Sequence, residues 1–323
     1  MTDTRDATQI GVRASAALSD SGRQWHVLAS VSGAIYIESD SEELLWISAN
    51  LVAMHRRAIM LRSMPVGRLT AGTQCFVEAG CLRIGDKLSI RLRNAVVWRP
   101  QPSIRVGPCA VESPRRILDA IERTARRSTP RGCFASIAYP SLADDAAGFS
   151  EVMAAKLEAI ATPAIASLSR VSSGSGVSAE LREAIGLVGL GGGLTPSGDD
   201  VLGGFLFTLR TLDSALLGLL GIDWQQIETW LRQIEGLTNK ISFAILADHA
   251  RGEGAASLSV LVNAGLDGSP EERLTQAVGQ VSMIGHSSGW DMLVGVRCAC
   301  MAATRILKGA LVCRRGSANT DEV

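Results

Sequence analysis

Residues 189 to 200 read Gly-Leu-Gly-Gly-Gly-Leu-Thr-Pro-Ser-Gly-Asp-Asp, the densest run of special residues in the chain. Gly191, Gly192 and Gly193 open dihedrals closed to other residues and let backbone N–H groups approach a ligand. Thr195 before Pro196 fits a helix N-cap with proline at the first position, and Ser197 with Asp200 offers a competing capping box. The stretch from Val201 to Leu209 carries no charge, so the helix that follows reads as buried. A buried helix start facing a glycine loop presents free N–H groups and the positive end of the dipole, which suits an anion. Asp199 and Asp200 complicate this, because they repel a phosphate unless a cation lies between. They could instead cap the helix or hold Mg2+, the one candidate cofactor of this sequence. The spacing is neither a Walker A loop nor a dinucleotide fingerprint. The plain alternative is a tight, well-capped loop that serves packing only.

A second loop echoes the first. Gly285-His286-Ser287-Ser288-Gly289-Trp290-Asp291 again precedes an apolar run, and aligning Ser197–Gly204 with Ser288–Gly295 matches Ser, Gly, Asp, Leu and the final Gly, five of eight positions. If the two helix starts converge, they form one polar pocket with two dipoles aimed inward. His286 is the only histidine beside such a loop and a candidate proton carrier, although a bystander role is the commoner case. His249 lies near a helix C-terminus, where capping is the simpler reading. His26 and His55 fall in the β-region. Lys240 and Arg297 are cations that a bound anion would need. Thr238 to Ser242 is either a polar step that holds a substrate carboxylate or phosphate, or a solvated helix start. The seven cysteines, an odd set without C-x-x-C spacing, suit neither zinc nor a redox pair.

The elements that carry these loops divide the chain. Trp25–Glu38, Leu44–Ile47, Ala58–Leu61, Gln74–Val77, Lys87–Leu92 and Ala95–Trp98 read as five to seven short strands, a small antiparallel barrel or sandwich. Pro100 to Pro108 holds three prolines and reads as a linker. Helical spacing follows at Ser113 onward, Phe149–Arg170, Ala179–Ile185, Val201–Leu212, Trp224–Ile234, Asn239–Ala250, Ala255–Ala264, Glu271–Val281 and Asp291–Lys308. Val171 to Val177 is a Ser-Gly loop. The expected class is α+β, with a β-rich domain over 20–107, a larger mainly helical domain over 108–313 carrying both loops, and a polar tail over 314–323.

Composition limits the partners. Lys plus Arg and Asp plus Glu are both 32, so the formal charge is zero and a strongly basic nucleic-acid binder is not indicated. No apolar run approaches a membrane span, and Met1 to Asp20 has no apolar core of a signal peptide. A cytoplasmic protein with reduced thiols is expected.

The two motifs together, Gly-Gly-Gly-Leu-Thr-Pro-Ser-Gly-Asp-Asp and Gly-His-Ser-Ser-Gly-Trp-Asp about ninety residues later, resemble a bacterial family long without a function. One branch of it is the AllH-type subunit of oxamate carbamoyltransferase, from anaerobic allantoin (purine) breakdown. Ser242 to Gly252 between them also looks like the family's pattern. The resemblance implies a part in phosphorolysis of oxalurate to oxamate and carbamoyl phosphate, alongside other subunits of a hetero-oligomer. The chain lacks the Ser-Thr-Arg-Thr phosphate motif of ordinary carbamoyltransferases, so its anion site must be built differently.

That chemistry needs orientation, charge neutralisation and a polarised carbonyl rather than a covalent intermediate. N–H groups of Gly191, Gly192, Gly193, Gly198 and Gly289 are candidates for the anion, whether phosphate, carbamoyl phosphate or oxamate. Thr195, Ser197, Ser287 and Ser288 are candidates for its remaining oxygens. Asp199, Asp200, Asp291 and His286 are the candidate catalytic groups. Two other classes compete: a non-catalytic structural or regulatory subunit, and a Mg2+-dependent phosphotransferase or ligase that uses a nucleotide.

Overall fold

The computed structural model describes residues 2–20, 22–100, 110–128, 134–138, 162–164, 166–168 and 181–318. Nearly all of the linker Pro100–Pro108, most of the helix expected over Phe149–Arg170, the loop Val171–Val177, the start of the helix expected at Ala179 and the last five residues lie outside them. The chain forms two compact units, Met1–Gln101 and Pro102–Val323.

The first unit is a barrel. Its strands are β1 (Asp3–Gly11), β2 (Trp25–Val31), β3 (Ala34–Ser39), β4 (Leu44–Ser48), β5 (Ala58–Leu61), β6 (Gln74–Glu78), β7 (Cys81–Ile84), β8 (Leu88–Arg91) and β9 (Val96–Trp98), with helix α1 (Val12–Leu18) after β1. The order β5-β4-β3-β2-β6-β7-β8-β1 closes when β1 pairs with β5, Ile10 opposite Ile59, giving an eight-strand ring. β1 is long enough to take β8 along Asp3–Asp6 and then β9 along Gln9–Gly11. The β1–β8, β1–β9 and β4–β5 pairings are parallel, so the barrel is mixed and not the antiparallel one expected. Two strands, β1 and β7, were not among the expected ones.

Alternation explains the barrel's interior: Trp25 and Val27 on β2 and Ile35 and Ile37 on β3 point to one face and are buried. They meet Leu45, Ile47, Ile59, Leu82, Ile84 and Ile90, and α1 adds Ala14, Ala17 and Leu18 to the same cluster. An eight-strand barrel is just wide enough for side chains to fill, and these pack its interior. His55 is buried, its ring stacked 4.9 Å from Trp46, while His26 Nε2 lies 3.7 Å from Glu38. Both histidines serve the barrel.

The second unit is helical: α2 (Ser113–Arg127), α3 (Ala135–Ala138), α4 (Ser197–Ala215), α5 (Trp224–Ile234), α6 (Lys240–Ala250), α7 (Ala256–Leu266), α8 (Glu271–Ser282) and α9 (Ser288–Ala318). α4 and α9 make the most extensive packing pair, with α6 and α7 against α4, and α2, α3 and α8 against α9. α9 begins one turn earlier than Asp291 and continues through Ala318, past the start of the polar tail expected at residue 314. Among the described residues no helix is long and apolar enough to cross a membrane.

Candidate functional site

The first turns of α4 and α9 meet. Thr195 Oγ1 and Ser288 Oγ lie 3.1 Å apart, so the two loops that echo each other in sequence touch in space. The 91-residue offset between Ser197 and Ser288 repeats throughout the junction as a local pseudo-two-fold relation. Asp200 N–H donates to the Pro196 carbonyl and Asp291 N–H to the Ser287 carbonyl, both at 3.1 Å. The Ser288 hydroxyl acts on the Asp200 carboxyl, and the Ser197 hydroxyl acts on the Asp291 carboxyl. Each serine at a helix start therefore serves the aspartate of the other helix.

Glycine makes that crossing possible. A Cβ on Gly204 would sit 2.1 Å from the Met292 carbonyl oxygen, and one on Gly295 would sit 1.9 Å from that of Val201. Gly204 and Gly295, like Met292 and Val201, are related by the same offset. Neither expected cap of α4 forms: Pro196 occupies the N-cap and no side chain caps the helix. The hydroxyls of Thr195 and Ser197 turn toward the facing helix instead.

The three aspartates divide into two kinds. Asp199 is buried with both oxygens hydrogen-bonded: Oδ1 accepts from Gly189 N–H at 2.8 Å, and Oδ2 accepts from Thr238 Oγ1 at 2.5 Å and Ser242 Oγ at 2.6 Å. The polar step Thr238–Ser242 thus holds a carboxylate of the protein itself. Asn239 completes the clamp, its Nδ2 donating to the Leu194 carbonyl at 3.0 Å and its Oδ1 accepting from Ser242 N–H at 3.0 Å. With both oxygens engaged, Asp199 braces the glycine loop. Among the described residues no group of three or more His, Cys, Asp and Glu is placed to hold a metal ion.

Asp200 and Asp291 are the second kind. Asp200 is 4% exposed and Asp291 0%, and Oδ2 of each has no hydrogen-bond partner among the described residues. Burial, the nearby Asp291 and, to a lesser degree, Asp199 hold the Asp200 carboxyl well above the usual range, against the lowering effect of Ser288 and Thr195. Burial pushes Asp291 up to about 7, although Phe134 N–H donates to its Oδ1 at 3.0 Å and Ser197 also lowers it. An uncharged buried carboxyl near neutral pH can donate a proton or a hydrogen bond, and sites of chemistry are where such shifts collect.

The other expected residues fall in different places. Gly192 and Gly193 are exposed, with no atom within 4 Å of a Cβ built on either, and Gly191 and Gly193 hold positive φ of 114° and 90°. Gly198 and Gly289 are buried, and their N–H groups already donate to Leu190 and Ile284 carbonyls at 2.9 Å. Ser287 is half-buried, and its carbonyl accepts from Trp290 and Asp291. His286 is exposed in the second loop. His249 packs inside α6, its ring edge toward Phe207 and its Nδ1 where a Cβ on Gly203 would fall. Arg297 is engaged with Glu122 of α2 at 3.0 Å, two turns from the α9 start, and Lys240 is exposed at the start of α6. Burial pushes the thiol of Cys75 up to about 12 and raises that of Cys300, so neither is a thiolate near neutral pH.

Sequence reasoning missed the roles of Phe134, Thr238, Asn239 and Ser242. Thr238 and Ser242 were visible as polar residues near a helix start, but nothing in the sequence pointed from them to Asp199. A backbone N–H such as that of Phe134 leaves no signal in side-chain chemistry.

Residues 187–300 match the family described as oxamate carbamoyltransferase subunit AllH. That stretch contains both loops and the junction between them. No curated protein and no solved structure gives a match to this chain.

Proposed function

We propose that this chain is a subunit of an oxamate carbamoyltransferase-like enzyme, interconverting oxalurate plus phosphate with oxamate plus carbamoyl phosphate in the cytoplasm, and that it holds a small anion where α4 meets α9. The family match over the segment that contains both loops carries the reading. The physical support is an open glycine mouth, Gly192 and Gly193, beside the hydroxyls of Thr195 and Ser288, with a buried carboxyl behind them. Two acids beside an anion site are repulsive only if charged. A neutral Asp200 lessens that repulsion without a cation and supplies a donor in its place.

The reaction has one proton to move. A phosphate oxygen attacks the carbamoyl carbon, the bond from that carbon to the amide nitrogen breaks, and the nitrogen gains the proton that the phosphate hydroxyl loses. We assign the Thr195–Ser288 hydroxyl pair to substrate contact and the neutral Asp200 behind it to the proton: it gives its own to the leaving nitrogen and takes in exchange the one that the phosphate hydroxyl loses. Positioned proton transfer of this sort contributes about 10²–10⁴-fold to a rate.

A second reading, that the junction only locks α4 to α9 within a non-catalytic subunit, draws on the three hydrogen bonds that Asp199 accepts and on the glycine crossing. The two separate on Asp200→Asn, assayed with the partner subunits as carbamoyl phosphate formed from oxalurate and phosphate. The first expects a loss of about a hundredfold or more with assembly intact. Unchanged turnover would leave the structural reading standing.

A further inference from the structure

A cavity of about 340 Å3 lies in the helical unit, away from the start of α4. α5 lines it with Trp224, Ile227, Glu228 and Leu231, and α6 lines it with Phe243, Ala247 and Ala250. Spacings of three and four residues put each set on one face of its helix. The volume falls in the range of small-molecule sites, about 300–1,000 Å3, and a largely apolar wall with a few charged groups is how such sites are built. Arg210 of α4 joins the lining, thirteen residues beyond Ser197 and so about 20 Å along the helix from the junction. Its guanidinium lies over the Trp224 ring, 4.7 Å from the centroid, and Trp224 is fixed in turn by donating from Nε1 to Asp213 at 2.8 Å. Arg210 is half-buried, and among the described residues no carboxylate pairs with it. Arg251, also in the lining, is engaged by the buried Asp248 at 3.2 Å.

We infer that this cavity is a ligand site of its own and takes a small organic monoanion, its carboxylate on Arg210 and its flat apolar body against Ile227, Leu231 and Phe243. A guanidinium held by its face on an indole still presents its edge, and a carboxylate accepts that fork in two parallel bonds. Because Trp224 already holds Arg210 in place, binding has little left to order there. The apolar wall supplies the rest, by taking the flat body out of water. Charge sets the limit of one negative group. Glu228 and Glu235 line the same cavity, so a phosphate dianion would meet two acids that a monoanion with an apolar body can turn away from. The site does not depend on the anion site at the junction, and either can fail without the other.

The test uses 4-fluorobenzoate as the probe and follows its 19F line as the full chain is added. The expected result is saturable broadening that Arg210→Gln weakens about tenfold or more, the effect of losing a charge-assisted hydrogen bond. Ala247→Leu, which fills the cavity and leaves every charge in place, should weaken it as well, with both variants checked by circular dichroism for an unchanged fold. Thr195→Ala, at the junction, should bind the probe as wild type does. 4-Fluorobenzyl alcohol, the uncharged counterpart, should bind about tenfold more weakly than the carboxylate. No saturable broadening with the wild-type chain would overturn the inference, and so would equal binding of the alcohol. Binding that Thr195→Ala loses and Arg210→Gln keeps would overturn it too, and would place the carboxylate at the junction instead.

Discussion

Asp291 shows how far one residue's surroundings can set its chemistry. The sequence marks it as an acid at a helix start, where a charged carboxylate is favoured by the dipole. The structure buries it completely beneath Phe134 and beside Ser197 and raises it to about 7. Burial therefore wins over the dipole. The sign of the consequence follows from linkage. Between about pH 4 and pH 7 the unfolded chain loses this proton while the folded chain keeps it, so stability falls as pH rises across that window and levels above it. One such proton is worth about 1.4 kcal/mol per pH unit. Urea unfolding at pH 5.0 and pH 7.0 should show wild type losing more stability than Asp291→Asn by about 2 kcal/mol. Equal losses in the two proteins would mean that Asp291 ionises normally in the fold. Type and spacing could announce such a residue but could not give its depth or its partner, the backbone N–H of Phe134, 157 residues away in the chain.

Among the elements, the α4–α9 pair was the most legible. The echo between Ser197–Gly204 and Ser288–Gly295 can be read directly, and the coincidence of Gly204 with Gly295 proves to be steric necessity. Each glycine lets one helix backbone lie against a carbonyl of the other. A methyl group at Gly295 would stand 1.9 Å from the Val201 oxygen and 2.7 Å from the Phe205 nitrogen. Gly295→Ala should therefore destabilise by about 3 kcal/mol or more, the upper end of overpacking costs, or prevent folding. Gly279→Ala in α8 is the matched control, since nothing lies within 4 Å of a Cβ there. It should leave stability unchanged or raise it by up to about 1 kcal/mol through helix propensity. Thermal melts of the two variants decide it, and similar midpoints would refute the close crossing. β1 and β7 were illegible for a different reason. β1 reads Asp-Thr-Arg-Asp-Ala-Thr-Gln-Ile-Gly, too polar for a strand by pattern. It forms because it lies between β8 and β5, with Asp6 paired to Arg91 across the ladder at 2.6 Å. β7 follows a two-residue turn, Ala79-Gly80, with φ of 51° and 77°. Positive φ at both positions fits a tight hairpin turn, but Ala-Gly announces it less clearly than Asn-Gly.

At the scale of the whole chain, the segregation of strands from helices was plain from the change of period after the first hundred residues, and the structure has that division. The match to the oxamate carbamoyltransferase subunit covers 187–300, inside the helical unit, and leaves the barrel outside it. The barrel must then be understood on its own physical terms. Its ring closes through β1 and β5 with every strand drawn from residues 3–98, and its core cluster runs from Ala7 to Ile90. Closure removes the ring's open edges, and a filled interior supplies the burial that a domain of this size needs. Residues 1–101 expressed alone should therefore fold, with a strand-type circular dichroism spectrum and one cooperative thermal transition. Trp25 and Trp46 are buried in this unit, so their fluorescence should report the same midpoint as the dichroism. Midpoints that coincide would establish the barrel as an autonomous unit. A disordered fragment would show that the closed ring gains essential stability from the rest of the chain, and Gly295→Ala would then melt strands and helices together.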